Sequence, residues 1–346
     1  MNIRKFAALA LAATFTLAAC GGTDTATDTT GAGGNSGDDT ALTVYSGRSE
    51  ELVGELMTAF ETETGIEVNV RYGDSGELAA LLLTEGDASP ADVFFSQDAG
   101  ALGAVEGLLA VLPQSALDAV DARYRAADGK WVGITGRVRV IVYNPELAPA
   151  PPTAIDGLLD PKWSGKIGYA PTNASWQSFV TALRVLRGED GAREWLAAFA
   201  ANKPVAFEKN GAVRDAVNDG TVALGLVNHY YLLEKIAAEG AAAVTAKNQF
   251  IGGGDPGGLV NVAGTGILAS APHQDAARRF VDFLQSATAL EYFRTKTWEY
   301  ILQEGAEQPG GLPDFATLGA PSIDLSDLSS LEETQELLQS VGLLTK

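Results

Sequence analysis

Short apolar runs alternate along this chain with stretches whose apolar positions recur every three or four residues, and the alternation begins at Leu42. Residues 42–45 read as a buried strand closed by Ser46-Gly47, and from about 49 to 63 Leu52, Val53, Leu56 and Phe60 fall on one helical face. A strand over 66–72 follows, then Asp74 and Glu77 at capping-box spacing ahead of the apolar run 78–83. A third strand, 91–95, leads into a helix starting near Asp98. Three strand–helix units in succession predict a parallel sheet with helices on both faces, because parallel neighbours need a crossover between them.

The pattern then changes. Two strand-like segments, 131–135 and 138–143, are separated by Gly136 and stopped by Asn144-Pro145. A second set of α/β units begins at 166–169, with helices over about 175–186, 192–201 and 212–218, a strand at 222–227 and a helix over about 231–238. The glycine-rich stretch 252–258 gives way to a strand at 259–262, and helices over 274–295 and 331–341 finish the chain. No Gly-Lys-Ser or Gly-Lys-Thr follows those glycines and a strand comes next, which argues against a phosphate loop. Two α/β lobes joined by extended crossings, with a cleft between them, is the economical architecture.

The first forty residues stand apart. Arg4 and Lys5 precede an uncharged apolar stretch, 6–19, too short for a stable bilayer span, in the layout of a secretory leader. Leu17-Ala18-Ala19-Cys20 resembles the lipobox of bacterial lipoproteins, which implies acylation of Cys20 at the start of the mature chain; the alternative is an ordinary leader with a chance cysteine. Residues 21–41 hold no large apolar side chain and read as a flexible tether. With Arg4 and Lys5 gone, 22 basic residues face 44 acidic ones, a net charge of 22 negative that disfavours nucleic acid and anionic lipid as partners. Cys20 is the only cysteine, so no disulfide or thiolate metal site forms within the exported chain. About 305 residues remain for the body, enough for two lobes with separate cores.

The most informative stretch is 223–232, Ala-Leu-Gly-Leu-Val-Asn-His-Tyr-Tyr-Leu. It sets Tyr230 and Tyr231 at the carboxyl end of a buried strand, where open α/β sheets bind ligands. The pair admits two readings: a helix start with one ring in the core and one outside, or two phenolates on a hard, highly charged cation. A free phenol ionises near pH 10, so only a strong local positive charge holds two ionised at neutral pH, and iron(III) supplies it where magnesium or calcium would do so poorly. With His229 and His273 the only histidines, a metal here would be oxygen-coordinated.

Several blocks together resemble the ferric iron-binding proteins of bacterial ABC importers. They are Leu42-Thr43-Val44-Tyr45-Ser46-Gly47-Arg48, residues 90–98, residues 133–140, Ala170-Pro171-Thr172-Asn173, Glu208-Lys209-Asn210, Asn228-His229-Tyr230-Tyr231 and Gly254-Asp255-Pro256-Gly257. They fall in the family's order and cover the body after residue 41. The resemblance implies an α/β chain of the type II periplasmic-binding-protein fold, two lobes joined by a hinge: 42–137 with 260–311, and 138–259 with 312–346. It implies Tyr230 and Tyr231 as metal ligands, iron(III) as cargo, and phosphate or carbonate as synergistic anion. It also implies an anion cradle at Asn173, Ala174, Ser175, Asn210 and Asn228, with an arginine at Arg137. The chain departs from the family where many members carry a histidine ligand, here Ser49, and where some carry a glutamate, here Gln97. Asp98, next to Gln97, is open to a ligand's role or, more readily, a helix cap. Ser175 stands where a subset carries a third tyrosine.

The expected function is extracytoplasmic binding of ferric iron by a monomer, lipid-anchored to a bacterial membrane through Cys20, and delivery to an ABC permease; the chain is not expected to be an enzyme. One alternative keeps the fold and takes a small organic or phosphorus-containing anion as cargo. A remote one, a serine hydrolase, rests on Gly73-Asp74-Ser75-Gly76.

Overall fold

A computed structural model describes residues 40–344. The expected leader, lipobox cysteine and all but the last two residues of the tether lie outside the described residues. The described residues form ten strands: β1 (Ala41–Ser46), β2 (Glu67–Tyr72), β3 (Val93–Ser96), β4 (Val132–Tyr143), β5 (Ile167–Tyr169), β6 (Val205–Ala206), β7 (Leu224–Asn228), β8 (Lys247–Phe250), β9 (Val260–Ile267) and β10 (Tyr300–Ile301). They join in the order β2-β1-β3-β9-β4-β7-β5-β6, and β8 and β10 also pair with β4.

β1 pairs in parallel with β2 and β3, as the strand–helix repeat predicts. β3, Val-Phe-Phe-Ser, is buried at every position because it has a neighbour on each edge and helices on both faces. β2 alternates exposed Glu67, Asn69 and Arg71 with half-buried Val68, Val70 and Tyr72, the pattern of an edge strand kept polar on its open side.

Gly136 does not divide two strands. β4 runs unbroken for 12 residues, with its irregularity between Gly133 and Thr135. A side chain at Gly136 would sit 3.0 Å from Leu302 and 3.3 Å from Val260, so the glycine serves close packing. Up to Val138, β4 pairs with β9; from Arg139 onward it pairs with β7 and β8. The ladder therefore changes partners at the bond between Val138 and Arg139.

The helices expected over 175–186 and 192–201 lie head to tail in Ala174–Ala201, kinked at Gly188, whose φ of +74° suits glycine. The single helix expected over 274–295 is two, Gln274–Leu284 and Ala287–Tyr292, because Ser286 caps the second through the Ala289 N–H. A π-helical turn, Phe293–Thr297, follows and ends at Trp298 in the left-handed region. Leu325–Ser329 lies on the helix Ala99–Ala104, where a side chain at Gly100 would meet the Leu328 carbonyl, and Leu331–Ser340 packs on Ala174–Ala201 through a 2.8 Å Thr181–Thr334 hydrogen bond. One apolar core gathers Phe60, Phe95 and Phe280; a second gathers Tyr169, Trp176, Phe179, Trp195 and Phe199.

Candidate functional site

β7 is buried along its length and ends at Asn228, and the helix Tyr230–Glu239 starts two residues later. That abrupt strand-to-helix turn puts both tyrosines in the first helical turn, with their rings stacked at 4.4 Å. Tyr230 is buried and Tyr231 half-buried. Burial, then the neighbouring Tyr231, pushes the Tyr230 hydroxyl well above its ordinary value, with Arg137 opposing. Without a cation Tyr230 is a neutral phenol at any physiological pH.

The start of helix Ala174–Ala201 lies beside this corner. Asn173 caps it, its Oδ1 accepting from the Ser175 N–H at 3.0 Å and the Ser175 hydroxyl at 2.7 Å. Asn210 Nδ2 donates to Asn173 Oδ1 and Ser175 Oγ, both at 3.0 Å, while its own Oδ1 is buried without a partner. Ala174 is exposed, and Asn228 pairs opposite Arg139 at the end of the β4–β7 ladder. Cradle residues named from positions 173, 175 and 210 thus come together around one helix N-terminus, where orphan N–H groups favour an anion.

Arg139 was missed in the sequence. It is 2% exposed, donates to the Ser175 carbonyl at 3.1 Å and the Leu226 carbonyl at 3.3 Å, and lies over the Phe179 and Trp176 rings. Among the described residues no carboxylate pairs with it, and its Nε has no partner. Burial pulls its pKa down to about 9, with Tyr231 opposing. Its signal was legible: Arg137-Val138-Arg139 places two charges, two residues apart, in an otherwise apolar strand.

Arg137, the arginine singled out by resemblance, lies instead 3.8 Å from Glu299, with Nη2 on the Val262 carbonyl at 3.4 Å. Glu299 is held by Arg48 through two hydrogen bonds of 2.7 and 3.1 Å and by Thr135 and Thr297. Burial pushes the Glu299 carboxyl up, but Arg48 and Arg137 more than offset it and leave it below its ordinary value. So Arg137 has a carboxylate beside it and Arg139 has none.

Asp98 caps the helix Ala99–Ala104, Oδ1 accepting from the Ala101 N–H at 3.0 Å. Burial raises its pKa, offset in part by that N–H and by Arg137. Gln97 Oε1 is buried and unpartnered, while Ser49 is exposed ahead of the helix Glu50–Thr64. Ser75 Oγ accepts from the Gln97 N–H at 2.9 Å. Both histidines are engaged elsewhere, His273 with Asp92 at 3.0 Å and His229 with Val138 and Trp298, which leaves Ser75 without a histidine base.

The pattern of a bacterial extracellular solute-binding protein matches residues 46–291. The chain belongs to that family. At 35% identity over 311 residues, 88% of this chain and 91% of the relative, the binding protein is similar to the Fe(3+)-binding periplasmic protein of Serratia marcescens. It is 32% identical over 309 residues to the major ferric iron-binding protein of Neisseria meningitidis serogroup B, covering 87% and 93% of the two chains. Among solved structures, iron-bound HitA from Pseudomonas aeruginosa superposes with a TM-score of 0.82 at 32% identity, over 88% of this chain and all of that one. FutA of Trichodesmium, in complex with iron and citrate, gives 0.77 at 29%, over 88% and 99%. The binding protein therefore has the periplasmic-binding-protein fold, mixed α/β with a curled sheet. Its family is one of solute binders and not of enzymes.

Proposed function

We propose that this binding protein captures ferric iron outside the cytoplasm, with a small anion completing the metal's coordination, and hands it to an ABC permease. The observation that carries the reading is the stacked Tyr230–Tyr231 pair beside a buried, carboxylate-free guanidinium and a helix N-terminus. Two phenolates on iron(III) bring two negative charges to a place where Arg139 and the helix start at Ala174 supply positive potential. Asn173, Ser175, Asn210 and Arg139 would hold phosphate or carbonate at the metal, and Asn228 would border it. Arg137, whose charge is shared with Arg48 across the Glu299 carboxylate, would act on Tyr230 through its field.

The lobes would be 42–137 with 260–311 and 138–259 with 312–346 as the resemblance implies, save that 312–329 would go with the first lobe, because Leu325–Ser329 lies on Ala99–Ala104. Val138 and the adjacent Leu259 and Val260 are then the paired hinge crossings, out and back, and the chain crosses once more near Ser330, where it passes from Ala99–Ala104 to Ala174–Ala201. Iron bridging the lobes would favour the closed form that a permease recognises. Acylated Cys20 and the tether would keep the monomer at the membrane.

Ferric citrate titrated into the soluble body, from residue 41 onward, should raise a visible tyrosinate-to-iron band that vanishes when Tyr230 and Tyr231 are both changed to phenylalanine. No band at any ferric concentration, with phosphate or carbonate supplied, would overturn the reading. It would favour a second one: Arg139 and the Asn173–Ser175 cradle also suit a small organic or phosphorus-containing anion without metal.

A further inference from the structure

His229 is fully buried between the tyrosine corner and β4, and both ring nitrogens are engaged. Nδ1 lies 3.1 Å from the Val138 backbone nitrogen, and Nε2 lies 3.0 Å from the Trp298 carbonyl. An N–H only donates and a carbonyl only accepts, so the ring is the neutral tautomer with its proton on Nε2.

The reason for an imidazole here is in the ladder. Arg139 pairs with Asn228, so the next rung would match Val138 with His229. Half of that rung exists, the His229 N–H donating to the Val138 carbonyl at 2.9 Å. The other half cannot form from the backbone, because His229 has already turned helical (φ −58°, ψ −37°) and its carbonyl accepts from Asn248 Nδ2 at 2.8 Å. The ring supplies the acceptor that the turned carbonyl no longer offers. This happens at Val138, where β4 changes partners.

The other end of the ring is held at an unusual place. Trp298, with φ +55°, is one of two non-glycine residues in the left-handed region among the described residues, and it closes a π-helical turn. Such a conformation is strained for a bulky side chain and persists where surrounding contacts impose it. The next residue, Glu299, carries the Arg48 ion pair and lies 3.8 Å from Arg137. The ring of His229 also packs on Tyr300 at 4.9 Å and meets Tyr230 edge-on at 5.9 Å.

We propose that His229 is a positioning residue, a two-ended strut that fixes the Tyr230–Tyr231 corner to the crossing point of β4 and to the Trp298 carbonyl, so that both phenols meet the cargo in one geometry. Its consequence for metal rests on the ferric reading above; the strut itself does not. Convergence of two phenolates on one cation tolerates only about 0.5 Å, and among the described residues the His229 ring is the corner's side-chain hydrogen bond to Trp298.

Three substitutions separate the ends. Asparagine places an acceptor near the Nδ1 position and does not reach Trp298; glutamine places a donor near Nε2 and leaves the Val138 N–H open; phenylalanine keeps the ring volume and loses both bonds. Amide hydrogen exchange on the metal-free body should show Val138 protected in the wild type and in His229→Asn, and exchanging at least about ten-fold faster in His229→Gln and His229→Phe. In ferric titrations of variants whose circular dichroism matches the wild type, affinity should fall about ten-fold in Asn and Gln and further in Phe, with a shifted tyrosinate band.

Wild-type affinity and band position in all soluble variants would overturn the proposal. So would unchanged Val138 exchange in His229→Phe or, where that variant does not fold, in His229→Gln. A wild type that shows no ferric band sinks the iron reading instead, and the exchange comparison then decides the strut alone.

Discussion

The guanidinium of Arg139 lies under the first turn of the helix that Ala174 opens, its Nη1 on the Ser175 carbonyl at 3.1 Å and 3.4 Å from the Ser175 hydroxyl. A buried cation with no carboxylate beside it is costly unless a ligand brings negative charge, and here the ligand's side is the tyrosine corner. Arg139→Gln should weaken ferric binding about 10- to 100-fold, the worth of one charged hydrogen-bonding partner, and abolish the gain from added phosphate or carbonate. Arg137→Gln should leave that anion dependence in place. Titrations with and without each anion test both; an Arg139 variant with undiminished anion dependence would return the role to Arg137.

Arg48 and Glu299 form a buried ion pair between residues 251 positions apart. Removing one partner strands the other charge, so Arg48→Met or Glu299→Gln should each lower stability by about 3–5 kcal/mol. A double variant, Arg48→Met with Glu299→Leu, should recover only part of that loss, since it removes the stranded partner but takes from buried Arg137 the carboxylate beside it. Urea denaturation of the three variants reads this directly.

Asp98 is a cap in the structure, and the consequence is a split between two measurements. Asp98→Ala should lower stability by about 1 kcal/mol and leave the ferric band and affinity where they were. A loss of affinity well beyond the loss of stability would make Asp98 a ligand instead.

Glu234, one turn beyond the tyrosines, has its pKa raised to about 7, first by burial and then by Glu299, with Arg214 partly offsetting. An acid whose folded pKa is raised binds its proton more tightly in the folded state. Its penalty is absent below its unfolded value near 4.5 and complete above about pH 7. Glu234→Gln should therefore leave stability nearly unchanged at pH 4 and raise it by about 2 kcal/mol at pH 8, allowing for solvent on its exposed side. Melting temperatures of both proteins across that range check the sign.

Much of the fold was legible because it rests on local pattern. The run Val-Phe-Phe-Ser could only be a covered strand, the face of Leu52, Val53, Leu56 and Phe60 only a core-facing helix, and a strand ending at Asn228 with a helix beginning at once made Tyr230 and Tyr231 stand out. Gly136 misled because a glycine in a strand reads as a break when its neighbours are unknown; the crowding of Leu302 and Val260 explains it. Apolar periodicity continues past Ser286 and suggests one helix over 274–295, whereas the Ser286 hydroxyl caps a second helix once the chain turns there.

The order of elements, the acidic body and the tyrosine pair at a strand end follow from the amino-acid order alone, since periodicity, charge and residue chemistry are local or additive. Which buried arginine faces a carboxylate is set by long-range packing. Arg137 and Arg139 are equivalent as residues in one strand, and the difference between them lies in Glu299, brought to Arg137 from the far end of the chain by packing. The same holds for His229: its neighbours in sequence are a strand residue and two tyrosines, but its work is set by the Val138 N–H and the Trp298 carbonyl, which only the fold brings to its two nitrogens.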